Sequence, residues 1–321
     1  MKIFSERILL LAGKMKRRLG PFLFYTVLLF AIYYLGKNFL NDLEKVRESR
    51  FLFEFPSLAI ALVFFSCMFL TQSFVALFIL DLLGYKIDTF HGVKSIFISS
   101  LGKYVPGKVG VVLFRMHKLS ELQVPKKVVF MAMVIEHLFL IPIGAAFGSL
   151  SVFSFSRSSL LLPTLIVSAL FLFFLVSMPN TIIRLIMGVT TRFGHETYVA
   201  DITRVSAIKI SLFTCVNWFF FSLGTWYCTG SIVESSPPPF FPIAGAYALS
   251  VLGGFAAIFS PGGIGVRESL FVLIAPFDTK GLLVIWSILL RLVSSASEIA
   301  SLVIVQSCHV VLNIAKKMKI Y

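Results

Sequence analysis

Arg267 and Glu268 stand side by side directly after Ser260-Pro261-Gly262-Gly263-Ile264-Gly265-Val266, inside an otherwise apolar run from Phe241 to Phe277. The arginine suits contact with a phosphate. The glutamate suits a cation partner or a proton. The same two residues equally suit a buried ion pair that holds the break rigid, and both roles stay open. Proline ends the preceding helix, and glycine allows positive φ and close backbone approach. A helix restarting after the glycines offers N–H groups that favour an anion, and in a membrane the obvious anion is a lipid phosphate. Gly262, Gly263 and Gly265 therefore join Arg267 and Glu268 as candidate substrate-binding residues, although a packing turn uses the same pattern.

A second interruption, Gly102 to Gly110, divides the apolar piece from Ser95 to Arg115. Lys103, Pro106, Gly107, Lys108 and Arg115 are its candidates, because basic pockets between helices attract anionic head groups. Setting topology is the plainer role for these cations. Pro106 to Val111 and Pro261 to Val266 both read P-G-x-[V/I]-G-V and lie 155 positions apart (261 − 106), about half the chain. Paired interrupted segments in corresponding halves point to a transporter's central site. A chance match between small residues is the alternative.

Further ionisable groups lie deep in apolar segments: Glu136 and His137, then Arg291 and Glu298. Such groups face the bundle interior and mark functional sites by default. Arg291 and Glu298 are seven positions apart (298 − 291) and share a helix face, at a separation of roughly 10 Å. They call for partners on other segments, with Glu136 one candidate for Arg291. His137 fits a hydrogen-bonded interior histidine better than a ligand. No metal-ligand cluster, nucleotide-binding loop or nucleophile elbow occurs in the sequence, so neither an enzyme nor a cofactor is expected.

The elements that must position these residues are membrane helices. Of 321 residues 58% are hydrophobic and 14% charged, against about 25% charged in a soluble domain. Lys and Arg number 29 against 15 Asp and Glu, giving +14. That excess lies in short loops, as cytoplasmic loops require, so nucleic acid is not the expected partner. Cys67, Cys215, Cys228 and Cys308 sit in or beside apolar runs and read as small buried hydrophobes.

Charge and length place spans at Pro21–Leu40, Pro56–Leu80, Val128–Leu150, Leu160–Met178, Ala207–Thr229 and Gly281–Leu312. The polar stretches Asp81–Lys94 and Lys118–Lys127 fall on the cytoplasmic side, and Asn180–Ser206 fits a helix lying in the interface there. Glu234 marks an outer link. Both flanks of Ser95–Arg115 are basic, so that piece enters and leaves from the cytoplasm; the piece around Pro261 enters and leaves from outside. The expected fold is an all-α integral membrane protein. Residues 1–321 form a single polytopic domain of six full spans plus two oppositely oriented re-entrant hairpins, near 95–115 and 241–277. These make about eight membrane segments in an inverted repeat, with both termini cytoplasmic. Counting the hairpins as spans is the runner-up.

Ser260-Pro261-Gly262-Gly263-Ile264-Gly265-Val266-Arg267-Glu268, Lys103-Tyr104-Val105-Pro106-Gly107-Lys108 and the arrangement of spans together resemble the lysylphosphatidylglycerol synthase/flippase-like transmembrane family. In its bifunctional members such a domain precedes a cytoplasmic aminoacyl-transferase domain and is implicated in moving the modified lipid across the bilayer. This chain closes at Tyr321 after the membrane segments, so the resemblance implies no aminoacyl transfer. It implies a lipid transporter of the bacterial or archaeal cytoplasmic membrane, acting in cell-envelope synthesis on an anionic or polyprenyl-linked lipid. A non-transporting partner of a glycosyltransferase or lipid-modifying enzyme is the second expectation, and a membrane-embedded transferase the third.

Overall fold

Backbone N–H and C=O groups in hydrocarbon must be satisfied within the protein, which restricts lipid-exposed spans to helices and closed barrels. Among the described residues this chain is helical almost throughout. The computed structural model describes Tyr33 and residues 52–104, 109–156, 161–191, 202–233, 238–257, 260–278 and 280–318. Outside them lie the expected first span, Tyr33 excepted, the Pro106-Gly107-Lys108 tip and Glu234.

A short strand β1 (Leu52–Phe53) leads into α1 (Phe55–Leu82), and α2 (Thr89–Ser100) runs into a tight 3₁₀ turn at Leu101–Tyr104. Then follow α3 (Val109–Ser120), α4 (Lys126–Ser156), α5 (Leu161–Ser177), α6 (Pro179–Thr191) and α7 (Arg204–Gly230). After β2 (Ile232–Val233) come α8 (Phe240–Ala256), a second 3₁₀ turn at Pro261–Gly263, α9 (Val266–Ile274) and α10 (Lys280–Met318). Both halves of this order read long helix, short helix, tight turn, short helix, long helix.

Among the described residues four helices are long and apolar enough to cross a membrane: Phe55–Leu82, Lys126–Val152, Arg204–Gly230 and Lys280–Ser307. α5 and α6 add a fifth crossing if taken as one bent span; they meet at 109°. The sharp bend follows from Pro179 at the start of α6, where proline begins a helix readily but cannot continue one. The Asn180 side chain then accepts the Ile202 N–H at 2.7 Å, tying α6 to the start of α7. Thr203 caps α7 through the Ser206 N–H, so the expected interfacial segment ends just before Arg204.

One boundary moves for a clear reason. Asp81–Lys94 is polar in sequence, yet its second half is the first turn and more of α2. Asp88 sits at the N-cap and accepts the His91 N–H at 3.1 Å, which starts the helix inside a polar stretch.

The core forms where small residues let helices approach. On α4 and α8, Gly148 and Gly245 face each other so closely that a Cβ on Gly245 would lie 2.4 Å from Ser151 Cβ, a packing device common between membrane helices. α7 lies along α1, with Phe64 stacked on Tyr227 and Phe65 edge-on to Phe221. Polar side chains on α7 are absorbed by their own helix: Thr214, Ser222 and Thr225 each donate to the carbonyl four residues back. At one end of this pair β1 and β2 run antiparallel, Leu52 opposite Val233, and the Glu54 N–H reaches the Ser231 carbonyl at 2.8 Å.

Candidate functional site

The α8–α9 turn is built from three glycines with positive φ, Gly262 at 57°, Gly263 at 73° and Gly265 at 82°, a region that costs other residues about 1 kcal/mol or more. Ser260 steadies it by donating to the Ile264 carbonyl at 2.7 Å. Glu268, buried, follows on the first turn of α9. One of its oxygens accepts the Gly265 N–H at 2.7 Å; the other takes Arg291 Nη1 of α10 at 2.5 Å. Arg291 Nη2 also donates to the Gly262 carbonyl at 3.2 Å. The helix start that glycine spacing offered to an anion is therefore capped at Gly265 by its own glutamate, the reciprocal half of a capping box.

Arg267 takes a different course. Its guanidinium lies over the Tyr247 ring, 4.4 Å from the centroid, and Nη2 donates to the tyrosine hydroxyl. Tyr247 is fully buried, stacked flat on Phe221 at 5.3 Å and edge-on to Phe271 at 5.5 Å. Arg267 Nε is buried with no hydrogen-bond partner among the described residues. Sequence reasoning missed Tyr247. Its available signal was a hydroxyl-bearing aromatic in the middle of the apolar α8.

The α2–α3 turn is also held by α10. Lys103 donates to Glu298 of α10, as does the Ser100 hydroxyl, and the ammonium lies 5.5 Å from the Phe69 ring centroid. Glu298 is 1% exposed. Deeper on α3, buried Arg115 donates through Nη1 to Glu136 of α4 at 2.7 Å, while Gln72 of α1 donates to the other carboxylate oxygen. Glu136 thus belongs to Arg115, and Arg291 pairs with Glu268 instead: the two charges expected to meet belong to separate ion pairs. Gln72, an amide on a membrane helix, also escaped the sequence reading. His137 bonds through Nδ1 to the Met133 carbonyl at 2.8 Å, an arrangement internal to its own helix.

The two turns touch. A Cβ placed on Gly262 would lie 3.1 Å from Arg291 Nη2 and 3.7 Å from the Lys103 carbonyl oxygen. Lys103, Arg267, Glu268, Arg291, Glu298 and the second-turn glycines therefore gather at one place. Arg115 and Glu136 form a neighbouring pair, and Pro106, Gly107 and Lys108 lie outside the described residues. No group of three or more His, Cys, Asp or Glu able to hold a metal ion occurs among the described residues.

A search of curated proteins finds no match to this chain. The family profile described as the lysylphosphatidylglycerol synthase TM region matches residues 19–296. That stretch takes in both turns and the buried pairs as far as Arg291, stopping just short of Glu298. With that extent of match and, among the described residues, four or five segments long and apolar enough to cross a membrane, the chain is a multi-pass membrane protein that belongs to the lysylphosphatidylglycerol synthase TM family.

Proposed function

We propose that the protein is a lipid transporter in which the two turns form a polar path for the head group of an anionic or polyprenyl-linked lipid. The observation that carries this reading is the contact between the turns, each flanked by an ion pair to a buried carboxylate, amid apolar helices. Membrane helices bear such charges only where function or pairing repays their cost. The arms of the first turn have 12 residues each, about 18 Å of helix, against roughly 30 Å of hydrocarbon. They are too short to cross, and they pack on each other. α9 is shorter still, with 9 residues.

Connectivity supports opposite orientations for the two hairpins. The β1–β2 pairing holds the start of α1 and the end of α7 together. α8 begins from that same end. α1 has 28 residues, about 42 Å, so α2 starts from the far end. The two hairpins then dip from opposite faces and meet inside, an inverted arrangement like that of transporters whose site lies at the repeat interface. The neutralised carboxylates favour a second reading, a rigid non-transporting partner of an envelope glycosyltransferase or lipid-modifying enzyme. In neither reading does the protein carry out catalysis.

Reconstitution in proteoliposomes with leaflet-quenchable fluorescent lipids separates the two. Transport predicts protein-dependent loss of leaflet protection, slowed at least about tenfold by Arg267→Ala. Folded protein that moves neither phosphodiester nor polyprenyl lipids, yet co-purifies with an envelope enzyme, establishes the second reading instead.

A further inference from the structure

Two consecutive residues at the second turn are held in opposite ways. Both oxygens of Glu268 are occupied, one by the Gly265 N–H and one by Arg291. Arg267, part-buried, rests on an uncharged residue. The centroid of the Tyr247 ring lies 4.4 Å from its guanidinium carbon, and Nη2 donates to the Tyr247 hydroxyl. Its Nε is buried with no acceptor among the described residues.

A phosphate is the better partner for this side chain. A phenol oxygen takes one N–H of the guanidinium fork and brings no charge, whereas a phosphate takes two side by side and brings a negative one. A buried donor without an acceptor also carries the cost of its lost hydration, and that cost ends when Nε finds an oxygen. Tyr247 cannot follow the arginine, because its ring is fully buried, stacked on Phe221 and edge-on to Phe271. Movement of the guanidinium towards a ligand therefore breaks its bond to the hydroxyl.

We infer that Tyr247 is a positioning residue that competes with the ligand for Arg267: the guanidinium rests on the tyrosine until a lipid head group binds, then moves to the phosphate oxygens. The inference deepens the lipid-transport reading and rests on it for the phosphate being a lipid's.

The test is binding of phosphatidylmethanol, whose head group is one phosphodiester, to purified protein in an uncharged detergent, read by native mass spectrometry. Tyr247→Phe keeps the ring and its stacking and removes the competing hydroxyl, so it binds this lipid about tenfold more tightly than the native protein. Arg267→Gln binds it at least about tenfold more weakly, and adding Tyr247→Phe to that variant changes nothing further. Loss of a hydroxyl that merely steadied the fold would weaken binding, with or without the arginine. The sign in Tyr247→Phe decides the matter alone if Arg267→Gln fails to fold.

Weaker or unchanged binding in Tyr247→Phe overturns the inference, as does an equal gain in the Arg267→Gln background. Dimethyl phosphate carries the same phosphodiester without acyl chains. A gain for it in Tyr247→Phe, with none for phosphatidylmethanol, would assign the exchange to a free phosphate ester and overturn the inference for a lipid. Binding as expected without translocation in proteoliposomes would remove the transport reading alone. Translocation with no gain in Tyr247→Phe would remove this one alone.

Discussion

Around the first turn Lys103 and Arg115 both meet buried carboxylates, whereas around the second Arg291 takes Glu268 and Arg267 is left to a tyrosine. The two turns lie against one another, yet among the described residues the cation that meets an aromatic ring rather than a carboxylate is beside the second. α10 serves both, offering Arg291 to one turn and Glu298 to the other from positions two helical turns apart. Charge pairing within this bundle therefore acts chiefly as an anchor. The interaction free to change with a ligand is the one that pairing leaves out.

The comparison breaks most visibly in stability. Glu136→Ala strands Arg115, whose side chain is 8% exposed, and removes the acceptor of Gln72. Removing one partner of a buried pair costs about 3–5 kcal/mol. Arg267→Ala forfeits a cation–π contact and one hydrogen bond to a neutral hydroxyl, about 1–2 kcal/mol. Thermal unfolding in detergent should separate the two variants clearly. If Arg267→Ala unfolds as readily as Glu136→Ala, Arg267 is an anchor like the rest and the contrast between the turns disappears.

A smaller effect sharpens the contrast in backbone packing. In the first hairpin a Cβ on Gly102 would sit 2.5 Å from the Gly110 carbonyl carbon, backbone against backbone. In the second, a Cβ on Gly254 would meet Arg267 Cβ at 3.4 Å and Gly263 Cα at 3.8 Å. Gly102→Ala must push the arms apart, costing about 1–3 kcal/mol as overpacking does. Gly254→Ala fits at ordinary contact distance and should leave the unfolding midpoint close to native. Equal losses would mean that the two hairpins are packed alike.

Four of the expected spans, those beginning at Pro56, Val128, Ala207 and Gly281, were legible because they rest on composition and length, which act residue by residue. The breaks at Gly102–Gly110 and Pro261–Gly265 were legible because glycine and proline act locally on backbone. Charge partners were not. Sequence gave good reason to find Arg291 a partner on another segment, but no spacing distinguishes Glu136 from Glu268 before the hairpins are folded against α10. Tyr247 and Gln72 were invisible for a related reason. Their roles come from what lies across a helix interface, and an isolated tyrosine or glutamine in an apolar run carries no periodic signal. The α2 boundary failed differently, since one cap residue, Asp88, outweighed the polarity of the stretch around it.

That cap yields the smallest expected effect, and it again sets one hairpin against the other. α2 enters the first hairpin under Asp88, which accepts the His91 N–H; α8 enters the second after Pro239, with no side-chain cap. Asp88→Ala should cost about 1 kcal/mol or less, because the site is exposed. The His91 N–H, more than the His91 ring, holds the Asp88 carboxyl below the ordinary aspartate range. A depressed folded pKa gives stabilisation that is complete above the unfolded pKa and is lost as pH falls through the folded value. Amide exchange at the start of α2 should therefore be faster in Asp88→Ala than in the native chain at neutral pH. The difference should close once the pH falls through the depressed folded value and the native aspartate is protonated. A difference that persists in acid would assign the start of α2 to its packing within the hairpin, and would leave the two entry arms alike in having no effective side-chain cap.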